Sequence, residues 1–385
     1  MSRARIGRAL MALCGHRARE SAELTDSDWR ELDALADQHR LRPFLHGRLT
    51  RGEIGSAVPA AIAASWQETH RANGIAMLAQ RRALLQAGRV LAEEGIAAVA
   101  LKGSALAWTV WPAPAERIMR DIDLLVGEEE APAAYAALRR SGWAAPDLPR
   151  EDLAGMAGSQ AHLPPLHSPE GVMCELHAHV WGEAPLPGST MPLADDAGLL
   201  SRAAHDEALG AAIPSAEDML AHLVVHAACS HLLNVGPMAL VDIDLWCTQR
   251  SVDWEAFWKR AAEHGFERPA VLIFALVDRW RRPGFLAHSG TPASPDDDLL
   301  VEAEMLLVQD LDARKDVSAL ASAAAGQFGG RIGQHPLDRA ERPSGGLGRA
   351  GQLAQRAWSL GRSALDGDTR RDALATARLQ KWMEG

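Results

Sequence analysis

The stretch that decides the fold is LKGSALAWTVWPAPAERIMRDIDLLV, residues 101–126. The apolar run Ile96–Leu101 leading into it reads as a strand, and KGSALA, headed by Lys102, Gly103 and Ser104, opens a helix. A strand that turns directly into a helix points backbone N–H groups outward, which suits a phosphate. Gly103 permits close approach of the chain and Ser104 offers a hydroxyl. Ile122–Val126 reads as the next strand, entered through Asp121-Ile122-Asp123. Side chains alternate along a strand, so Asp121 and Asp123 share one face and Ile122 takes the other. Carboxylates gathered in apolar surroundings repel one another, and a divalent cation relieves that cost. Oxygen ligation suits Mg²⁺ or Mn²⁺ rather than a soft metal. Exchanging both aspartates for Asn is expected to leave the fold intact, because it removes the repulsion.

Taken alone, an Asp-x-Asp string also suits a solvated pair at a strand edge, and the neighbouring residues separate the two readings. Glu175, in CELH on the expected neighbouring strand, can face the same side and complete a triad able to hold two ions roughly 4 Å apart. Lys102 is one of only four lysines, against 36 arginines, so its place directly after the strand is informative. Arg117 and Arg120 precede the pair and can neutralise β- and γ-phosphates. They can equally serve as counter-charges for Asp121 and Glu116.

Outward from this stretch the chain divides into an N-terminal helical region (1–91), an α/β core (92–190), a C-terminal helical domain (191–325) and a Gly/Arg-rich, partly disordered tail with room for a short helix (326–385). The first helix spans Asp26–Leu49, capped by Thr25 or Asp26 and broken at Pro43. A second runs from Ala60 to a stop at Gly95, with Leu78, Leu84, Leu85 and Leu91 at helical spacing. A helix over Pro132–Arg140 follows the acidic strand. AHLPPLHSP and GVMCELHAHVW then form a strand pair turning around Pro169–Gly171. Helices are expected over Ser215–Leu233, Met238–Cys247, Trp254–His264, Pro269–Trp280 and Asp296–Leu311, and poor order over Gly326–Gly348. The fold class is α+β, a small mixed sheet flanked by helical regions.

The 385 residues are 47% hydrophobic and 23% charged, which is a globular profile. A formal net charge of −10 lacks the basic stripe of a polynucleotide-binding protein, so no nucleic-acid partner is expected. Arg331–Gly385 carries ten basic residues against six acidic ones, a local excess of four that suits a solubilising or partner-binding segment. Four cysteines without a C-x-x-C pair indicate a reducing compartment. The N-terminal apolar run is too short for a secretory segment, and no window suits a membrane span. A cytoplasmic protein is the resulting expectation.

Several further residues invite assignment. His177 and His179 on a strand, and His222 and His226 on a helix, each put two imidazoles on one face, the pattern of a four-histidine metal site. His177 also suits a supporting partner for Glu175 or Asp123, while His222 and His226 suit hydrogen-bonded positions at a domain interface, with His226 a candidate for the substrate pocket. Asp242-Ile243-Asp244 repeats the acidic string, but Leu240, Ile243 and Trp246 recur at helical spacing, where i,i+2 side chains diverge. A helix cap or a cross-domain salt bridge is the expected role for Asp242. Trp108 and Trp111 suit hydrophobic packing, or stacking on a nucleobase.

With these residues in view, the sequence resembles nucleotidyltransferases of the polymerase-β-like superfamily, specifically an incompletely characterised bacterial group with an LKG…R…DIDLLV signature. WRELDALADQHRLRPFLHGRL from Trp29 is similar to that group's N-terminal helices, and ELHAHVW to its third-carboxylate strand. EDMLAHLVVHAACSHL and LVDIDLW are similar to its C-terminal helices, so the resemblance covers roughly residues 29–280. It implies a glycine–serine role for Gly103 and Ser104, a metal role for Asp121 and Asp123, and a third-acid role for Glu175. The implied activity is transfer of a nucleoside monophosphate from an NTP, with ATP expected, to a hydroxyl of an unidentified small molecule or protein. The alternatives are an inactive nucleotide-binding or scaffolding protein of the same fold, and a metal-dependent phosphoesterase. Two departures stand out: the gap from Gly103 to Asp121 exceeds that of minimal members, and the third acid is Glu rather than Asp.

Overall fold

Alanine-rich amphipathic sequence gives helix almost everywhere, and strands form only where apolar and β-branched residues cluster. The computed structural model describes residues 3–18, 24–181, 195–311 and 367–384. These form fifteen α-helices and one six-stranded sheet, an α+β fold with helical regions at both ends. The N-terminal part holds α1 (Arg3–Cys14), α2 (Asp26–Gln38), α3 (Arg42–Thr50) and the 34-residue α4 (Ala60–Glu93). Thr25 caps α2 in a reciprocal box with Asp28. The break expected at Pro43 comes earlier, where Arg40 takes a left-handed φ of 57°. Pro43 instead sits in the first turn of α3, where its missing N–H costs nothing. On α4, Leu84 and Leu91 are buried as their spacing suggests, whereas Leu78 faces solvent at 70% exposure.

The core follows as β1 (Val99–Ala100), α5 (Lys102–Thr109), β2 (Asp121–Leu125), α6 (Ala131–Arg140), α7 (Arg150–Ala157), β3 (Leu166–His167) and β4 (Met173–His177). After α8 (Asp196–Arg202), two strands that sequence patterning did not suggest, β5 (Ala204–Asp206) and β6 (Ala211–Ile213), join the same sheet. The sheet therefore reaches Ile213, past residue 190, where the core was expected to close. At three residues each, these strands are too short for an alternation pattern to stand out. The strand order is β3-β4-β2-β1-β6-β5, with β2 parallel to β4 and antiparallel to β1. In the centre of this sheet Ile122, Leu124, Leu125 and Val126 are fully buried. Each contributes about 1.5–3 kcal/mol by leaving water, which is ample to anchor the acidic end of β2.

The C-terminal helices are α9 (Ala216–Val225), α10 (Met238–Gln249), α11 (Trp254–Glu263), α12 (Glu267–Trp280), α13 (Phe285–His288), α14 (Asp297–Leu307) and α15 (Gly367–Glu384). The helix expected over Ser215–Leu233 loosens into a π-turn at His226–Ser230 and ends before Leu232 and Leu233, both left-handed. Widened turns of this kind recur at functional sites. The Gly326–Gly348 stretch lies outside the described residues. Among the described residues, no helix is long and apolar enough to cross a membrane.

Candidate active site

The site grows from the register of β2 against β4. Parallel pairing sets Asp123 opposite Glu175 and Leu125 opposite His177, so the alternation that puts Asp121 and Asp123 on one face gives Glu175 and His177 the same face. The Nε2 of His177 lies 2.9 Å from Oδ1 of Asp123 and 3.7 Å from Oε2 of Glu175. The Nζ of Lys102 lies 3.0 Å from the same Oδ1. Lys102 reaches it because the turn from β1 into α5 holds its backbone at φ 45°, a left-handed conformation that costs a side-chain-bearing residue about 1–2 kcal/mol.

These contacts divide the two aspartates. Burial raises the Asp121 carboxyl, with Asp123 and Glu175 adding to the effect, to about 6. Burial opposes ionisation of Asp123 as well, but Lys102 and His177 outweigh it and hold that carboxyl far below the usual range. Glu175 is likewise held down against burial, by His177 and His162. The repulsion inferred from the sequence therefore falls on Asp121, whereas Asp123 already has counter-charges. Exchanging both for Asn is not the simple relief expected.

The cluster suits a divalent cation. Donor atoms of Asp123, Glu175 and His177 all lie within 4.8 Å of one another, the only such trio among the described residues, and Asp121 stands outside it. Asp121 is nevertheless close enough to feel both acids, so a cation in the trio would lower the cost of its charge too.

The remaining expected residues separate. Ser104 is fully buried, and its hydroxyl accepts the Asp123 N–H at 2.7 Å, which ties α5 to β2. That bond supports the acidic strand. Gly103 lies under Arg117 and Met119, and a Cβ there would collide with both. Arg117 makes a two-pronged ion pair with Asp242 of α10, at 2.9 and 2.8 Å, rather than pairing with Asp121 or Glu116. Trp111 donates to the same Asp242 carboxylate at 2.8 Å, a packing and anchoring role. Arg120 is exposed beside Asp121.

A family of uncharacterised nucleotidyltransferases matches residues 25–282. The chain belongs to that family. No match was found among curated proteins. The matched span runs from the cap of α2 to just past α12, so it includes the sheet, Asp242, His222 of α9 and His226 of the π-turn after it.

Asp242 fulfils the expected cross-domain ion pair, and the second acid of that string, Asp244, pairs with Arg281 and Arg282 instead. His179 is held by Asp196, 2.8 Å from its Nδ1, so the four histidines do not share a site. His222 departs from expectation: it is 1% exposed, and neither ring nitrogen has a partner. Burial, then Lys102, pushes His222 and His226 well below the ordinary imidazole range, which places both in the field of the site. Two residues of α4 escaped sequence reading altogether. Asn73 donates to the Ala115 carbonyl and Gln80 to that of Met119, both at 2.8 Å, clamping the loop that delivers the aspartates. Their signal was present as polar residues on the inward, otherwise apolar face of an amphipathic helix.

Proposed function

We propose that this protein is a metal-dependent nucleotidyltransferase that moves a nucleoside monophosphate from an NTP, with ATP the expected donor, to a hydroxyl of a small molecule or protein. Asp121, Asp123 and Glu175 are its acidic centre. The observation that carries this reading is the parallel register setting Asp123 opposite Glu175, with Lys102 delivered to the same carboxylate by the strand-to-helix turn. A divalent ion, Mg²⁺ or Mn²⁺, supplies charge neutralisation of the triphosphate and activation of the acceptor oxygen when bound.

The chain's own residues orient the reactants. Ser104 holds the backbone of Asp123, and Gly103 lets Arg117 and Met119 close over the start of α5. The Lys102 ammonium and the exposed Arg120 face the triphosphate, while Arg117 is a positioning residue bound to Asp242. The acceptor oxygen attacks the α-phosphorus, the bond from that phosphorus to the bridging oxygen breaks, and pyrophosphate leaves with the electron pair. The hydroxyl proton passes to a carboxylate of the cluster. Positioning and charge stabilisation provide most of the rate gain, as in phosphoryl transfers generally. A net charge of −10 favours a small or protein acceptor over a polynucleotide.

The test is incubation with each α-³²P-labelled NTP and Mg²⁺ or Mn²⁺, with cell extract as the acceptor source. Label on an acceptor, pyrophosphate release, and loss of both in Asp123→Asn are expected. Nucleotide binding without either product would overturn the reading in favour of a binding or scaffolding protein.

A further inference from the structure

The acidic centre carries an imidazole beside its two facing carboxylates. Asp123 and Glu175 face each other across β2 and β4, and the Nε2 of His177 enters the gap between them, 2.9 Å from one carboxylate and 3.7 Å from the other. Two donors bound side by side to one small divalent cation, with bonds of about 2.0–2.1 Å, stand about 3 Å apart. The spacing of Nε2 from Asp123 already matches that value, and its spacing from Glu175 is within reach of a small side-chain shift.

An ion that binds both carboxylates must therefore bind Nε2 or expel the ring. Expulsion is opposed by packing: His177 is 4% exposed, and the His162 ring stands edge-on to it at 5.4 Å. Asp121 falls outside the trio of converging donors, so the third donor already gathered with Asp123 and Glu175 is His177.

We propose that His177 is a direct metal ligand through Nε2, completing an Asp123–Glu175–His177 site that selects a first-row transition ion such as Mn²⁺ over Mg²⁺. This rests on the metal-dependent reading above and goes further, by adding a nitrogen donor to the expected carboxylates. Mg²⁺ is a hard ion that takes oxygen ligands, whereas an imidazole donor favours the transition series. The ion displaces the hydrogen bond between His177 and Asp123. It also takes the place of Lys102 on Oδ1, which frees the ammonium for the triphosphate.

The test uses the full chain, stripped with chelator and titrated with Mn²⁺ alone. Electron spin-echo envelope modulation of bound Mn²⁺ should show coupling to a directly bonded ¹⁴N, replaced by the ¹⁵N pattern when histidine is labelled. His177→Gln should abolish that coupling and weaken Mn²⁺ binding about tenfold or more, while changing Mg²⁺ binding far less. His179→Gln should leave the coupling in place. Bound Mn²⁺ without nitrogen coupling, or coupling that survives in His177→Gln, overturns the proposal and leaves the nucleotidyl-transfer reading standing on carboxylates alone. Failure of Mn²⁺ or Mg²⁺ to bind at all, with or without NTP, overturns both. A labelled wild-type spectrum without nitrogen coupling overturns the proposal even if His177→Gln fails to fold.

Discussion

Asp121 and Asp123 lie two residues apart on one face of one strand, yet their replacement should change stability in opposite directions. In metal-free protein, burial and its acidic neighbours raise the Asp121 carboxyl from 3.8 to about 6. A difference of about 2 pH units costs the folded state about 3 kcal/mol once both folded and unfolded forms are ionised. Asp121→Asn removes that cost and should stabilise the protein by up to about 3 kcal/mol near pH 7.5. Asp123 is the counter-charge of Lys102 and His177, whose side chains are 17% and 5% exposed. Asp123→Asn leaves the buried Lys102 ammonium without its nearest anion and removes the carboxylate bonded to His177, and breaking such an arrangement costs about 3–5 kcal/mol.

The sign of the pH dependence follows for Asp121. Its folded-state value lies above the unfolded one, so the associated stability is fully present below pH 3.8 and lost as pH rises through about 6. The advantage of Asp121→Asn over wild type should therefore be greatest above pH 7 and close as pH falls toward 4. Urea denaturation in chelator, followed by fluorescence of the twelve tryptophans, measures both variants. Destabilisation by Asp121→Asn comparable to that of Asp123→Asn would refute the reasoning, as would an advantage that persists unchanged into acid.

Asp242→Ala should cost about 3–5 kcal/mol in the same assay, because it strands the buried Arg117 guanidinium and the Trp111 N–H; a loss below 1 kcal/mol would mean a solvated pair. Gly103→Ala should cost about 1–3 kcal/mol, since its methyl must push aside Arg117 and Met119, and wild-type stability would contradict that contact. His39 is 5% exposed, with Nε2 on the Gln309 carbonyl at 3.0 Å, and burial lowers it from 6.5 to about 4. Its neutral form is favoured in the fold, so about 3 kcal/mol of stability present above pH 6.5 should drain away as pH falls to about 4, and His39→Gln should flatten that part of the pH profile.

The legible parts of the sequence were those where one period dominates. Leu124 to Val126 is wholly apolar after the alternating entry Asp121-Ile122-Asp123, so the strand, its face and its burial all follow from a short string. The second acidic string was equally readable, because Leu240, Ile243 and Trp246 mark helix. The Arg117–Asp242 pair joins residues 125 positions apart, and only the docking of α10 beside the loop from α5 to β2 brings them together. Ser104 and Gly103 were recognisable as special, but not the direction of their service. A small residue after a strand fits a phosphate and fits close packing equally, and here Arg117 and Met119 occupy the space above it.

That redirection bears on how the site would hold a triphosphate. With Ser104 buried and Arg117 committed to Asp242, the cations of this segment left to meet a triphosphate are the exposed Arg120 and the largely buried Lys102, and in the ion-free protein Lys102 serves Asp123. Any agent that takes over Asp123 releases Lys102, so occupation of the acidic centre and recruitment of a phosphate-binding cation are coupled through one carboxylate. The left-handed backbone at Lys102 makes that coupling local, because it places the ammonium and the carboxylate together across a single strand-to-helix turn. Nucleotide should consequently bind weakly to the chelated protein and more tightly as the divalent ion is restored. By thermodynamic reciprocity the ion should bind more tightly in the presence of nucleotide, by the same factor. Calorimetric titration in both orders measures that factor, and equal affinities with and without the ion would show that Lys102 is not the link.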